Sequence, residues 1–405
     1  MSKKFPKQRR VLLAMSGGVD SSVAALILKK KGFEILGVFM KNYSDSKNSI
    51  GECAWKEERK MAIKISSILK IPLITLDFEK EYKKFVVDKM FRDYKKGITP
   101  NPDIDCNEKI KFPLLIKAAK KFGCDFVATG HYARIEKIKE DSLNKKGVSI
   151  NSVFRGGWSG DWRRDNKNNF SYELLRATDE TKDQSYFLYR LKQNELKHLL
   201  FPIGNFTKKQ IREIAKKNNF PNYNKKSTVG ICFIGKVNLK KFLQKKIKPK
   251  KGKILNPNGD VIGEHDGIYY YTIGQRIGLR FGIEISKNSD DKKFLKKWYV
   301  AKKDAKRNII VAAPENHILN FRKNIFIKNP HWINKKPKNN QKILVRIRQV
   351  GELLPSRISG VGGWGIDGGR MKIILDKAIT GVSEGQAAVL YYGKKVLGGG
   401  EIRFK

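Results

Sequence analysis

A short apolar run at residues 11–15 gives way to Ser16-Gly17-Gly18-Val19-Asp20-Ser21-Ser22, and that segment leads directly into a helical pattern over residues 22–31. This order of strand, glycine turn and helix constrains the chain more than any other feature. Two glycines let backbone pass close to a ligand, and the N–H groups left unpaired at a helix start attract anions. The segment reads as a phosphate cradle. It has neither the lysine of GxxxxGK[ST] nor the spacing of GxGxxG, so it is not the common mononucleotide loop or the dinucleotide fingerprint. A plain Gly-Gly turn with a Ser/Asp cap is the bland alternative.

Apolar runs at 35–40, 73–76 and 126–129 alternate with helical periodicity at 55–69, 82–94 and 108–121. Such alternation specifies an α/β fold, a parallel sheet covered on both faces that binds ligands at the carboxyl ends of its strands. Residues 207–218 form a further helix with Thr207 as N-cap. From 136 to 169 the chain turns polar and rich in Gly, Asn and Lys, which reads as an insertion loop. Beyond about Gly252 short runs at 267–273, 298–301, 308–312, 342–349, 371–375 and 387–391 are divided by Gly, Pro and Asn. These are expected to form small β-rich modules, the last a barrel or sandwich. The expected division is a catalytic domain over 1–240, a small central domain over 241–305 and a β-barrel over 306–405.

Charge adds a partner class. With 85 Lys+Arg against 39 Asp+Glu, the formal net charge is +46. Such an excess favours a polyanion through counterion release. Lys and Asn also crowd segments that carry no motif, so compositional bias is an equal source of it. No apolar run approaches the ~20 residues needed to span a bilayer, and the one after the basic N-terminus is too short for a signal peptide. A cytoplasmic location is the expectation. Four cysteines with no CxxC spacing exclude a disulfide scaffold and a zinc knuckle.

Two of those cysteines stand in unusual settings. Cys106 ends the rigid, proline-rich Thr99-Pro100-Asn101-Pro102-Asp103-Ile104-Asp105 ahead of a lysine-rich helix. At a helix N-terminus its thiol would be acidified and act as a nucleophile. Cys232 lies in Gly230-Ile231-Cys232-Phe233-Ile234-Gly235, which suits either a buried small hydrophobe or a reactive thiol. In the cradle, Ser16, Ser21 and Ser22 would donate to phosphate oxygens, while Asp20 would organise the loop or help hold Mg²⁺. Met40 would lie beside an adenine or fill core. Asp103 is a candidate acid or base, or a turn residue before a helix. His131, after Gly130 at the end of the fourth strand, is placed to face a ligand. Leu344, Arg346 and Arg348 share a strand face able to track a phosphate backbone, or to guard an exposed edge. An adenylating loop with two separated cysteines is what a thiolation reaction needs.

The segments MSGGVDSSV, GVFMKN, TPNPDIDCN, ATGHYAR, KDQSYFLY, GICFIG, IGEHDGIYYYTIGQRIGL and GQAAVLYYGKKVLGGG, in this order from Val11 onward, resemble the tRNA-specific 2-thiouridylases, the MnmA/TrmU family. The resemblance implies an N-terminal PP-loop α/β domain, a small central domain and a C-terminal β-barrel. It implies ATP-dependent adenylation of the C2 oxygen of wobble uridine 34, in tRNAs for Lys, Glu and Gln, then sulfur transfer from a cysteine persulfide to give 2-thiouridine, AMP and pyrophosphate. Ala14, Met15, Ser16, Gly17, Gly18, Val19, Asp20, Ser21, Met40 and Gly130 would bind ATP with Mg²⁺. Asn101, Pro102 and Asp103 would meet the uracil. Cys106 would be the nucleophile or resolving thiol, and Cys232 the persulfide carrier. His131, Lys182, Asp183, Gln184, Arg346, Ile347 and Gln386 would contact tRNA. An upstream persulfide donor, such as a cysteine desulfurase or relay protein, is a further implied partner.

This chain departs from the family at Arg346-Ile347-Arg348, where an Arg-Tyr-Arg run is common, at Ser227-Thr228 in place of Asp-Ser, and at Asp105 in place of a hydrophobic residue. Gly360–Gly369 is an added glycine-rich insert. Two rival readings remain at this point: a PP-loop ligase of small molecules, which needs neither cysteine, and a non-catalytic tRNA-binding protein. An iron–sulfur cluster on Cys106, Cys232 and Asp103 is a mechanistic alternative to persulfide and disulfide.

Overall fold

A computed structural model describes residues 8–44, 53–139, 148–149, 170–226, 232, 234, 238–278, 297–359 and 370–404. The Ser227-Thr228 pair, most of the 136–169 stretch and the Gly360–Gly369 insert lie outside them.

Four strands and the helices between them open the chain: β1 (Arg10–Ala14), α1 (Val19–Lys30), β2 (Glu34–Lys41), α2 (Ala54–Leu69), β3 (Leu73–Asp77), α3 (Glu79–Tyr82), α4 (Asp88–Lys95), α5 (Pro102–Asp105), α6 (Phe112–Lys121) and β4 (Phe126–Ala128). The strands form one parallel sheet in the order β3-β2-β1-β4, extended by Leu199–Leu200. Pleating sends Val11 and Leu13 of β1 into one core and Leu12 into the other. All three are fully buried, which is why this central strand reads as an unbroken apolar run.

Two helical stretches each contain a widened i→i+5 turn, Lys83–Val87 between α3 and α4 and Cys106–Lys111 between α5 and α6. The second has a visible cause. Pro113 sits at the start of α6, cannot donate to the carbonyl four residues back and crowds it, so the preceding turn opens. The helical stretch thus begins at Pro102, with Asn101 as N-cap accepting from the Ile104 N–H at 3.4 Å. That is earlier than the start near residue 108 expected from periodicity.

The middle sheet comprises Gly252–Leu255, Val261–His265, Arg276–Ile277, Trp298–Asp304 and Ile309–Pro314. Ile309–Pro314 pairs with Trp298–Asp304 and with Gly252–Leu255, so this sheet runs past the expected division at 305. Residues 267–273 carry a single 3₁₀ turn, Ile268–Tyr270, where a strand-like run was expected. Six later strands close into a barrel: Phe321–Trp332, Arg370–Thr380, Leu354–Ser359, Lys342–Arg346, Ala387–Tyr392 and Lys395–Arg403, the last returning to pair with the first. Ala133–Lys139 and Phe170–Arg176 pair with each other and join the barrel's edge at Lys395. The polar texture from residue 136 therefore begins inside a strand, whose outer face is solvated.

The barrel grips the catalytic half. The Thr99 N–H donates to the Glu384 carbonyl at 2.9 Å, and Gln386 donates to the carbonyls of Thr99 and Pro100 at 3.1 and 3.2 Å. Deeper in the same interface, Asp183 accepts from Arg346 at 2.9 Å, from Ser185 Oγ at 2.9 Å and from the Ala177 N–H at 3.0 Å, with Arg176 at 3.7 Å. Both Asp183 and Arg346 are buried.

Candidate active site

The glycine turn begins at the carboxyl end of β1. Gly17 has φ +74°, a left-handed value that L side chains rarely adopt. A Cβ there would stand 2.2 Å from the Glu58 carbonyl oxygen of α2. Helix α1 opens with Gly18 as N-cap and no side chain closing its end, so its first N–H groups face outward as the sequence requires of an anion cradle. Gly130, after β4, lies against the same turn. A Cβ on it would be 2.8 Å from the Ser21 nitrogen.

The loop's hydroxyls are organised inward in this state. Ser21 and Ser22 both donate to the Gly18 carbonyl at 3.0 Å, and Asn222 donates to Ser22 Oγ at 3.0 Å and to the Gly17 carbonyl at 3.1 Å. Asp20 is held by Lys208 at 2.7 and 2.8 Å and by the Tyr132 hydroxyl at 2.8 Å. Of the two roles open to Asp20, this geometry favours organising the loop. A resident Mg²⁺ does not fit a carboxylate so engaged. Lys208 places a cation beside a loop that lacks one, from a capped helix, Lys208–Lys217, that Thr207 and Gln210 begin with reciprocal hydrogen bonds. At the carboxyl end of β2, Asn42 is 2% exposed and neither side-chain atom is paired among the described residues, which suits a polar ligand's place. Met40 and Met15 are buried in the two cores flanking the sheet.

We expect Gly17→Ala to weaken ATP binding at least tenfold, because the left-handed backbone costs an L residue about 1–2 kcal/mol before the clash with Glu58 is counted. Nucleotide titration checks it.

The two suspect cysteines come together. Cys106 Sγ donates to Cys232 Sγ across 3.9 Å, and all four cysteines are free. The Cys232 N–H donates to Asp103 Oδ1 at 2.9 Å, and the Tyr82 hydroxyl donates to the Cys232 carbonyl. Lys111 Nζ lies 3.9 Å from Cys232 Sγ and 3.4 Å from His131 Nε2. His131 Nδ1 lies 2.7 Å from Thr129 Oγ1. Because His131 follows Gly130, which touches Ser21 and Asp20, an unbroken line of contacts joins the phosphate cradle to the sulfurs.

Electrostatics divides the pair differently from expectation. Burial pushes the Cys106 thiol well up, and its hydrogen bond to Cys232 pushes it further. That same bond, aided by Lys111, holds the Cys232 thiol below its ordinary value despite burial. An acidified Cys106 at a helix N-terminus is therefore corrected. The helix starts four residues earlier, and Cys106 sits within it, fully buried. Burial also raises Asp103, with the Cys232 N–H opposing. Asp105 turns away from the thiols to Lys89 at 3.0 Å, and burial lifts its carboxyl to about 6. Burial and Lys111 together hold His131 well below the usual imidazole range.

The residues expected to meet RNA separate. Lys182 is exposed. Asp183, Arg346 and Ile347 are buried in the barrel interface, Gln386 braces the 99–100 loop, and Gln184 accepts from the Tyr132 N–H at 2.9 Å. The strand face proposed to track phosphates is corrected at Arg346, whose guanidinium is spent on Asp183, while Arg348 donates to the Thr380 carbonyl. Lys208, Lys111 and Asn222 were missed, since none lies in a glycine or cysteine motif, and Asn42 was missed although it ends GVFMKN. Among the described residues no group of three or more His, Cys, Asp and Glu is arranged to hold a metal ion, and no helix is long and apolar enough to cross a membrane.

The family described as tRNA methyl transferase HUP domain matches residues 9–236, its PRC-barrel domain 240–314, and the aminomethyltransferase beta-barrel domain 322–402. A protein named tRNA-specific 2-thiouridylase MnmA 2, from Aliarcobacter butzleri (strain RM4018), is 35% identical over 98% of this chain and 99% of its own length. Proteins named tRNA-specific 2-thiouridylase MnmA are 36% identical in Bacillus subtilis (strain 168), over 99% of this chain and 96% of that one, and 39% in Karelsulcia muelleri (strain GWSS), over 82% and 83%.

Proposed function

Because this chain belongs to the MnmA family of tRNA-specific 2-thiouridylases, we propose that it is an ATP-dependent tRNA-uridine 2-sulfurtransferase acting on wobble uridine 34 of tRNAs for Lys, Glu and Gln. The observation that carries this reading is the 3.9 Å approach of two free thiols, joined by contact to a glycine cradle. A small-molecule ligase has no use for that pair, and a passive RNA-binding protein has no use for either part.

ATP lies with its β- and γ-phosphates on the outward N–H groups at the start of α1, and Lys208 adds positive charge there. The uracil C2 oxygen attacks the α-phosphorus and pyrophosphate leaves. Cys232 arrives as a persulfide charged by an external donor. Its terminal sulfur bonds to C2, and AMP departs with the former O2. Cys106, relieved of its proton toward Asp103, attacks Cys232 Sγ. The persulfide S–S bond breaks, sulfur stays on C2, and a Cys106–Cys232 disulfide forms. The sulfurs must close from 3.9 Å to the ~2.05 Å of a disulfide. Two electrons from a thiol reductant restore the pair. Mg²⁺ would enter with ATP and supply neutralising charge to its phosphates.

The test incubates the chain with ATP, a persulfide donor and unmodified tRNA for Lys, Glu or Gln. The expected products are one AMP, one pyrophosphate and one 2-thiouridine per turnover, read by mass spectrometry of nucleosides. AMP formed without tRNA, on a small carboxylate, would establish the ligase instead.

A further inference from the structure

A lysine ammonium drawn partly out of water needs acceptors, since isolated charge is costly away from solvent. Lys111 meets that condition between two named acceptors, His131 Nε2 at 3.4 Å and Cys232 Sγ at 3.9 Å. An ammonium has donors only. The imidazole nitrogen facing it must therefore accept, which puts the ring's single proton on Nδ1, where it donates to Thr129 Oγ1 at 2.7 Å. Thr129 thus fixes the tautomer, the tautomer fixes Lys111, and Lys111 is aimed at one sulfur of the pair. Phe112 and Phe201 pack the imidazole at centroid distances of 5.7 and 5.9 Å and keep the ring in place.

We propose that Lys111, held by His131 and Thr129, supplies the positive charge that makes Cys232, of the two resting thiols, the one that attacks the external persulfide donor, with His131 a positioning residue acting through Lys111. This deepens the thiolation reading and rests on it for what the sulfur attacks. The widened Cys106–Lys111 turn makes the arrangement possible. In an ordinary α-helix five residues advance by about 140° beyond a full turn, which would send Lys111 to another face from Cys106, whereas an i→i+5 turn stacks them.

The groups facing Cys232 are Cys106 and Lys111 from that turn, Asp103 from α5, Tyr82 from α3 and Glu58 from α2. Among the described residues Lys111 is the one cation in this set. Cys106 also favours the ionised sulfur, by donating a hydrogen bond to it, while the carboxylates oppose. Burial works against charge on Lys111 itself, yet the neighbouring sulfurs and Asp103 hold its pKa above the ordinary lysine value, so it stays an ammonium throughout the neutral range.

The test is residue-resolved alkylation of Cys232 by iodoacetamide as a function of pH, read by peptide mass spectrometry in the full chain without RNA or ATP. Lys111→Met preserves length and packing. It should move the Cys232 midpoint upward by at least one pH unit, slowing alkylation near neutrality about tenfold. Lys111→Arg should stay within about half a unit of the unaltered chain. His131→Leu should shift the midpoint in the same direction as Lys111→Met, by less. An unmoved midpoint in Lys111→Met, or an arginine variant displaced as far as the methionine one, overturns the assignment of charge to Lys111. An unmoved midpoint in His131→Leu, which keeps the lysine and protects the test if Lys111→Met misfolds, overturns the positioning role. These readings need no tRNA, so their failure leaves sulfur transfer standing. Absence of AMP and 2-thiouridine from the unaltered chain would remove the thiolation reading and leave the thiol measurement intact.

Discussion

Cys232→Ser is expected to lower sulfur transfer to tRNA by on the order of a thousandfold or more, measured as 2-thiouridine formed per enzyme. A hydroxyl in place of Sγ cannot carry a persulfide, and among the described residues Cys106 is the only other sulfur in contact with that position. Cys106→Ser should lose multiple turnover equally but fail at a later point. Without the resolving thiol, the bond between Cys232 and the transferred sulfur has no intramolecular attacker. The variant should accumulate a covalent enzyme–tRNA adduct that disappears with dithiothreitol. Gel electrophoresis with and without reductant separates the two outcomes. Near-normal thiolation by Cys232→Ser would sink the relay.

Asp183→Ala is expected to destabilise the chain by about 3–5 kcal/mol, because removing one partner of a buried ion pair strands the other. Here Arg346, with a side chain 6% exposed, is stranded, Arg176 is left with Glu180 alone at 3.2 Å, and the Ser185 hydroxyl and the Ala177 N–H lose their acceptor as well. Urea unfolding followed by intrinsic fluorescence checks this, with the midpoint compared directly since several modules unfold. The result also decides what this aspartate is for. An unchanged midpoint together with weakened tRNA binding would return Asp183 and Arg346 to the RNA contacts that resemblance implies. A lowered midpoint makes them the clamp that fixes barrel to catalytic domain.

The parallel sheet was legible because β1, β2 and β4 are largely buried and present continuous apolar runs, while the edge strand β3 shows only a half-buried Leu-Ile-Thr-Leu. The cradle was legible because only glycine tolerates Gly17's backbone and the approach of Gly130. Cys106 and Cys232 were conspicuous by their surroundings, but their proximity was not, being set by a contact across 126 positions. Lys111 escaped notice for a geometric reason. Reading helices at 3.6 residues per turn never pairs positions five apart, and the proline that opens the turn lies two residues further on. Arg346 misled because a strand face with Leu and Arg suits solvent and interface equally, and only the placement of Asp183 decides between them. The expectation of an acidified Cys106 failed because a helix-start argument depends on where the helix starts. Asn101 starts it one turn before the cysteine.

The brace between the barrel and residues 99–100 has a consequence for synthesis. Gln386 and the carbonyl it holds are 287 positions apart. A ribosome adding ~5–20 residues per second takes roughly 15–60 s to cross that interval. Once Lys208 and Asn222 have been added, the nascent chain can own the parts of its phosphate loop and yet lack the barrel residues that fasten the Thr99-Pro100 segment ahead of Cys106. The segment leading into Cys106 therefore gains its barrel contacts only when residues 384–386 have been added.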